Sequence, residues 1–277
     1  MLGASFKAVA SELLRPVALI RYLVLKTEVH AYCASLAFFA MVAFYPLSLL
    51  FISVSKYAFM SESAHTAVQE LIRALYPTSQ EFLLRNLEAS SWQFGEAVTV
   101  QAGVWVLLGA AGVFIPLETA LNGLWGFEAH RPYWRNQLVG FLLVLAGCGL
   151  ALPAVWGLAA MERWPQVLPA IALIYVSAAL FLLYRFLPNG PVSSVWALPA
   201  AVLGTVALAA VQALFVWSLP YLALPESQGP YHVSISFLLL AYFEAFAIFG
   251  AAFVTTQAAH RFGTTPPSVR LRESGEE

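Results

Sequence analysis

Val233-Ser234-Ile235-Ser236-Phe237-Leu238-Leu239-Leu240-Ala241-Tyr242-Phe243-Glu244-Ala245-Phe246-Ala247-Ile248-Phe249-Gly250-Ala251-Ala252-Phe253-Val254 carries one charged side chain and otherwise reads as an unbroken apolar run. A helix rising about 1.5 Å per residue needs about 20 such residues to cross about 30 Å of hydrocarbon. The run extends from about Val233 to Ala258 and is long enough. Its one charge is the informative exception. An ionised carboxylate at bilayer depth costs on the order of 2.5 to 3.5 kcal/mol, so Glu244 is expected to face the bundle interior or water. Two readings stand side by side: a proton-coupled or polar-substrate contact, or one structural hydrogen bond to a neighbouring helix.

Working outward, the same pattern recurs at Ala31 to Ser55, Ala97 to Leu121, Leu138 to Ala160, Val167 to Leu183 and Ala197 to Leu219. Six runs predict an all-α polytopic bundle with six transmembrane helices in one membrane domain over 31–258. The composition agrees, with 60% hydrophobic and 10% charged residues. A water-soluble chain of this length would carry about a quarter charged residues. Too little polar surface remains to coat a globule in water, whereas lipid contact requires none.

The flanking segments are amphipathic. Residues 1–30 alternate apolar positions with Lys7, Glu12, Arg15, Arg21 and Lys26, which predicts an interfacial cytoplasmic helix broken at Pro16. No small-residue cleavage site follows the first long run, so no removed signal peptide is expected. Between 57 and 96, Val68, Leu71, Ile72 and Leu75 keep helical spacing, as do Phe82, Leu83 and Leu87 after Pro77. These predict two short amphipathic helices on the outer side, resting on the membrane surface or over the bundle. Residues 259–277 read as a polar, disordered cytoplasmic tail from Gly263 onward.

Charge sets the orientation. With the N-terminus inside, Lys7, Arg15, Arg21, Lys26, Arg131, Arg135, Arg185, Arg261, Arg270 and Arg272 fall on the inner side, and only Lys56, Arg73, Arg85 and Arg163 outside. The excess of inner basic residues places both termini in the cytoplasm.

Polar residues within the apolar runs are the candidates for function. Glu118 lies near the inner end of the second run, and Asn122 follows one turn later on the same face. Arg131, Arg135, Arg185 and Asn189 are expected on that side. They could line a vestibule for an anionic group, or Glu118 could pair with an arginine and hold two helix ends together. Pro46, Pro116, Pro153, Pro169 and Pro199 each fall in or near a different run, where a missing N–H frees a carbonyl and kinks the helix. Kinked helices often line cavities, although proline is also simply commoner in membrane helices.

Other chemistries find little support. The chain contains no aspartate, which removes many hydrolase and phosphoryl-transfer arrangements. Its five histidines show no metal-ligand spacing, so neither metal nor other cofactor is expected, nor is catalysis. The formal net charge of -1, without a basic stripe, argues against a nucleic acid partner. Cys33 and Cys148 lie in apolar runs and read as small buried residues. Trp92, Trp125, Trp134 and Trp164 mark an interfacial belt.

Several stretches carry a resemblance. Ala34-Ser35-Leu36-Ala37-Phe38-Phe39-Ala40 with Tyr45-Pro46-Leu47, then Ala120-Leu121-Asn122-Gly123-Leu124-Trp125 with Arg131, then Tyr184-Arg185-Phe186-Leu187-Pro188-Asn189, occur in the order seen in the YihY/BrkB family of bacterial inner-membrane proteins. Gly250-Ala251 is similar to a family Gly-Ala pair, although Ala252 follows where the family often has glutamate. The resemblance covers about Leu14 to Gln257. It implies six spans, both ends cytoplasmic, and a place among proteins linked to envelope integrity, serum resistance or lipid export. The family's older label, ribonuclease BN, is regarded as a misassignment.

The expected function is therefore a non-enzymatic, transporter-like protein of the bacterial cytoplasmic membrane whose partners are membrane lipids. In this reading Asn122, Arg131, Arg185 and Asn189 hold an anionic amphiphile, while Glu118 and Glu244 tune the route. The alternative is a structural scaffold for the envelope with no cargo.

Overall fold

A computed structural model describes residues 2–13, 21–23, 25–57, 65–66, 68–69, 72, 80–127, 132, 134–144, 146–147, 168–223 and 232–262. Among them every regular element is a helix: α1 (Leu2–Leu13), α2 (Thr27–Tyr57), α3 (Gln80–Trp125), α4 (Leu168–Phe186), α5 (Ser194–Leu222) and α6 (His232–Arg261). Residues 134–144 add a further helical stretch. Three helices among the described residues are long and apolar enough to cross a membrane: Glu28–Leu49 within α2, α5, and α6. A shorter apolar helix, Ala172–Phe186, forms most of α4. The expected second run lies inside α3, and most of the third lies outside the described residues.

Two expectations change. The stretch after Pro77 is not a separate surface helix, because α3 runs for 46 residues from Gln80 straight into the second run. Leu, Glu, Arg and Ala favour helix throughout 80–96, and the lone Gly95 costs only about 1 kcal/mol, too little to break a packed helix. The amphipathic faces meet protein, as packing over the bundle requires: Val68, Ile72, Leu84 and Leu87 are buried, and the Gln69 side chain donates to Glu88 at 2.5 Å. Finally, α1 packs against α6 and α5, burying Ser5, Ala8 and Val9, so its inward face is covered by helices. Pro16 lies outside the described residues.

The prolines divide by position. Pro46, Pro116 and Pro199 sit within α2, α3 and α5, each leaving the carbonyl one turn earlier without its helical donor. Pro169 is in the first turn of α4, where no N–H is needed, so it starts that helix rather than kinking it. Pro153 lies outside the described residues.

Helices α2 and α3 form the most extensive contact, antiparallel, with Gly109 against Ala43 and Gly112 against the Phe39 ring. Here a side chain on either glycine would displace its neighbour. The main core gathers where the start of α2, the end of α3, the end of α4, the start of α5 and the end of α6 converge: Cys33, Leu121, Leu187, Ala197, Phe249 and Ala258 are fully enclosed there. Tyr22 seals it, its ring stacked on Phe253 at 4.3 Å. Burial, foremost, pushes the Tyr22 hydroxyl well above the ordinary phenol range and keeps it neutral.

Candidate functional site

The end of α3 is built by a glycine. Gly126 has φ 70°, open to glycine without strain, and the Phe127 N–H turns back to the Asn122 carbonyl at 2.9 Å. That is a Schellman ending, and it leaves the Asn122 side chain pointing from the last turn into the bundle. Opposite it, Pro188 and Pro191 halt α4 and force the chain through 187–193 before Ser193 caps α5 by accepting from Val195 N–H at 3.3 Å.

These two structures lock together. Asn122 Oδ1 accepts the Asn189 backbone N–H at 2.8 Å, and Asn122 Nδ2 donates to Glu118 Oε1 at 3.4 Å. Glu118 and Asn122 are only 4% and 8% exposed, so hydrogen bonding here largely decides whether their burial is tolerable. Gly190 lies directly against the Phe127 ring, a position that no side chain could share. The Arg185 guanidinium donates to the Val192 carbonyl in the same turn, and it also lies 5.8 Å from the Phe186 ring centre. Hydrogen bonds thus bring Glu118, Asn122 and Asn189 together, while the Arg185 guanidinium bonds within its own turn.

The remaining candidates stand apart. Arg135 is exposed on the following helix with its guanidinium 5.1 Å from the Trp134 ring centre. Arg131 lies outside the described residues. Glu244 is half-buried on α6, one turn before Ile248.

That turn receives a side chain to which the sequence alone assigns no role. Tyr184 is 2% exposed, and its hydroxyl donates to the Ile248 carbonyl at 2.8 Å, tying α4 to α6. Gly204 of α5 sits at the same junction: a Cβ there would come within 3.0 Å of Leu180, 3.2 Å of the Tyr184 hydroxyl and 3.6 Å of Ala251. Ser177 and Thr205 share a hydrogen bond at 2.8 Å across α4 and α5. At the start of α2, His30 Nδ1 meets the Tyr242 hydroxyl at 2.7 Å. None of these pairs is separable by spacing alone, because serine, threonine and tyrosine within apolar runs are common and only a partner helix selects among them.

Beside the Ser177–Thr205 contact, α4 and α5 part to leave a cavity of about 550 Å³ lined by Ser177, Ala178, Phe181, Leu182, Ser194, Val195 and Leu198. Its walls present only apolar atoms. Ser194 marks one end, two residues from the Val192 carbonyl that Arg185 engages. The arrangement offers an oily slot, with Arg185 one turn along α4 from its lining residue Phe181. Among the described residues no three His, Cys, Asp or Glu side chains converge as a metal site.

A family model described as virulence factor BrkB matches residues 23–274. No curated protein and no solved structure matches the chain.

Proposed function

The chain belongs to the virulence factor BrkB family of membrane proteins, and from that premise we propose that it is a transporter-like protein of the cytoplasmic membrane that takes up a lipid or similar envelope amphiphile between α4 and α5. Six spans with both termini in the cytoplasm form the frame of this reading. The carrying observation is the apolar cavity of about 550 Å³ between α4 and α5, with Arg185 one turn along α4 from its lining residue Phe181. A ligand chain there would be surrounded by Phe181, Leu182, Val195 and Leu198, gaining roughly 0.8 kcal/mol per buried methylene when it leaves water for such walls. Against competing bilayer chains the gain is far smaller, so selectivity must come from the head. Arg185 spends one donor on Val192 and carries others that suit a phosphate or carboxylate.

Arg185 and Arg131 supply the charge in this reading, Arg131 following α3 in the sequence. Asn122 and Asn189 hold the turn that presents Arg185, a narrower role than direct contact with the head. Native mass spectrometry of the purified chain with anionic and zwitterionic phospholipids of equal chain length tests the proposal. Retention of the anionic lipid is expected, reduced about tenfold by Leu198→Trp, which fills the slot. Equal retention by the wild type and the filled variant would overturn it.

A scaffold role has its own support: Asn122, Glu118 and Asn189 close on one another, as residues that brace helix ends do. Under that reading the filled variant would support envelope integrity as well as the wild type does.

A further inference from the structure

One small pattern recurs at the end of the bundle where α2 begins and α3 and α6 finish. Phe6 with Lys7, Leu25 with Lys26 and Trp134 with Arg135 are each an exposed large apolar residue followed directly by an exposed cation. Arg261 and Phe262 repeat the pair in reverse order at the end of α6. The apolar members are far from covered: Phe6 is 40% exposed, Leu25 72%, Trp134 61% and Phe262 59%. Packing holds the pairs at this end. Ala8 and Val9 of α1 join the core that contains Trp196, Ala197, Ala258 and Ala259. Leu25 and Lys26 lead into α2, and Lys26 Nζ lies 5.7 Å from the centre of the Tyr22 ring that stacks on Phe253. Trp134 and Arg135 open the helix that follows α3 and returns along it, with Gly140 against the Phe114 ring. The far ends of α5 and α6 are different. Trp217 and Tyr221 are exposed there, yet no Lys or Arg occurs between Arg185 and Arg261.

We infer that this rim is a binding surface for acidic phospholipid headgroups of the surrounding leaflet. A cation facing water needs no apolar neighbour, and a large exposed apolar side chain there is unfavourable. At the headgroup layer each member of a pair finds its own medium, the apolar one in the acyl boundary and the cation at the level of the phosphates. Acidic lipids give that layer a negative potential that attracts Lys and Arg and fades within a Debye length. Charge favours the match: among the described exposed side chains of the rim, Lys7, Arg21, Lys26 and Arg135 stand against Glu28. The rim lies on the outside of the bundle and neither uses nor requires the α4–α5 slot.

The test follows thermal unfolding of the full chain in neutral detergent while phosphatidylglycerol or phosphatidylcholine of the same chain length is added. A lipid that binds the folded state raises the midpoint by mass action. Phosphatidylglycerol is expected to half-saturate at about a tenth of the concentration that phosphatidylcholine needs, a gap that narrows as salt is raised. Lys7→Gln with Arg21→Gln, Lys26→Gln and Arg135→Gln should erase the gap. Lys7→Gln with Lys26→Gln alone should reduce it by about half or more, and tests the rim should the fourfold variant fail to fold. The gap should remain in Leu198→Trp, whose slot is filled. Equal half-saturation by the two lipids in the wild type would overturn the inference, as would a gap that survives the neutralised variants. Loss of the gap in Leu198→Trp would assign the preference to the slot and overturn it too.

Discussion

The two halves of α5 are made of similar residues and live in different surroundings. In its first half Trp196, Ala197, Pro199, Ala200, Ala201, Gly204 and Thr205 are buried. In its second half Leu214, Val216, Trp217 and Tyr221 are exposed, Tyr221 by 75%. Hydropathy does not separate them. Residue size does: Ala and Gly let α4 and α6 approach the first half closely, which dispersion and packing reward where water no longer drives association. Large apolar side chains on the second half suit fluid lipid, with the Trp217 and Tyr221 rings tilted against each other near the helix end at 5.2 Å between centroids, residue types that favour the interface.

Substitutions along α5 and at its neighbours would break that contrast or sharpen it. Gly204→Leu should have the largest effect, since its side chain would enter the space held by Leu180, Tyr184 and Ala251. Overpacking of this kind costs about 3 kcal/mol or more where backbones cannot part, read as a lowered midpoint in denaturant titration of the purified protein. Next comes Asn122→Ala, which strands the Asn189 N–H and removes the bond to Glu118, for a loss of about 1–3 kcal/mol in the same assay. Asn122→Asp should recover part of that loss, because the oxygen facing Asn189 remains. Tyr184→Phe keeps the ring and deletes only the bond to Ile248, costing about 1 kcal/mol. At the far end of the scale, Trp217→Ala should stay within about 0.5 kcal/mol, like other substitutions away from packed or bonded features. A Trp217→Ala loss as large as that at Gly204 would mean that the exposed half of α5 packs against something other than lipid.

Much of the architecture was legible because burial in hydrocarbon writes itself into composition. The runs at Val233–Ala258 and Ala197–Leu219 coincide with α6 and α5 to within a few residues, and the first coincides with α2. The amphipathic segments were harder. Helical spacing at Val68, Ile72 and Leu87 identifies an apolar face without saying whether lipid or protein will cover it, and here protein does so at least in part. The continuity of α3 was hidden for a related reason: a change from mixed to apolar composition near 97 looks like a boundary, yet helix propensity crosses it uninterrupted.

The candidate site was legible as residues and illegible as bonds. Glu118 and Asn122 share a helix face by their spacing of four, which follows from 3.6 residues per turn. That Asn122 would reach Asn189, 67 positions later, depends on where the α4–α5 turn comes to rest. Arg185 illustrates the cost of reading charge alone: its guanidinium is partly occupied by the Val192 carbonyl, seven residues away across two prolines.

By itself the sequence determined that this chain is helical and belongs in a membrane, since apolar length and sparse charge admit no soluble alternative. Tertiary structure alone decided which polar groups meet: Tyr184 with Ile248, Asn122 with Asn189, Ser177 with Thr205. The physical reason is range. Insertion into lipid is a sum over each segment's own residues, whereas a hydrogen bond depends on two atoms coming within about 3 Å, which only the packing of one helix on another can arrange.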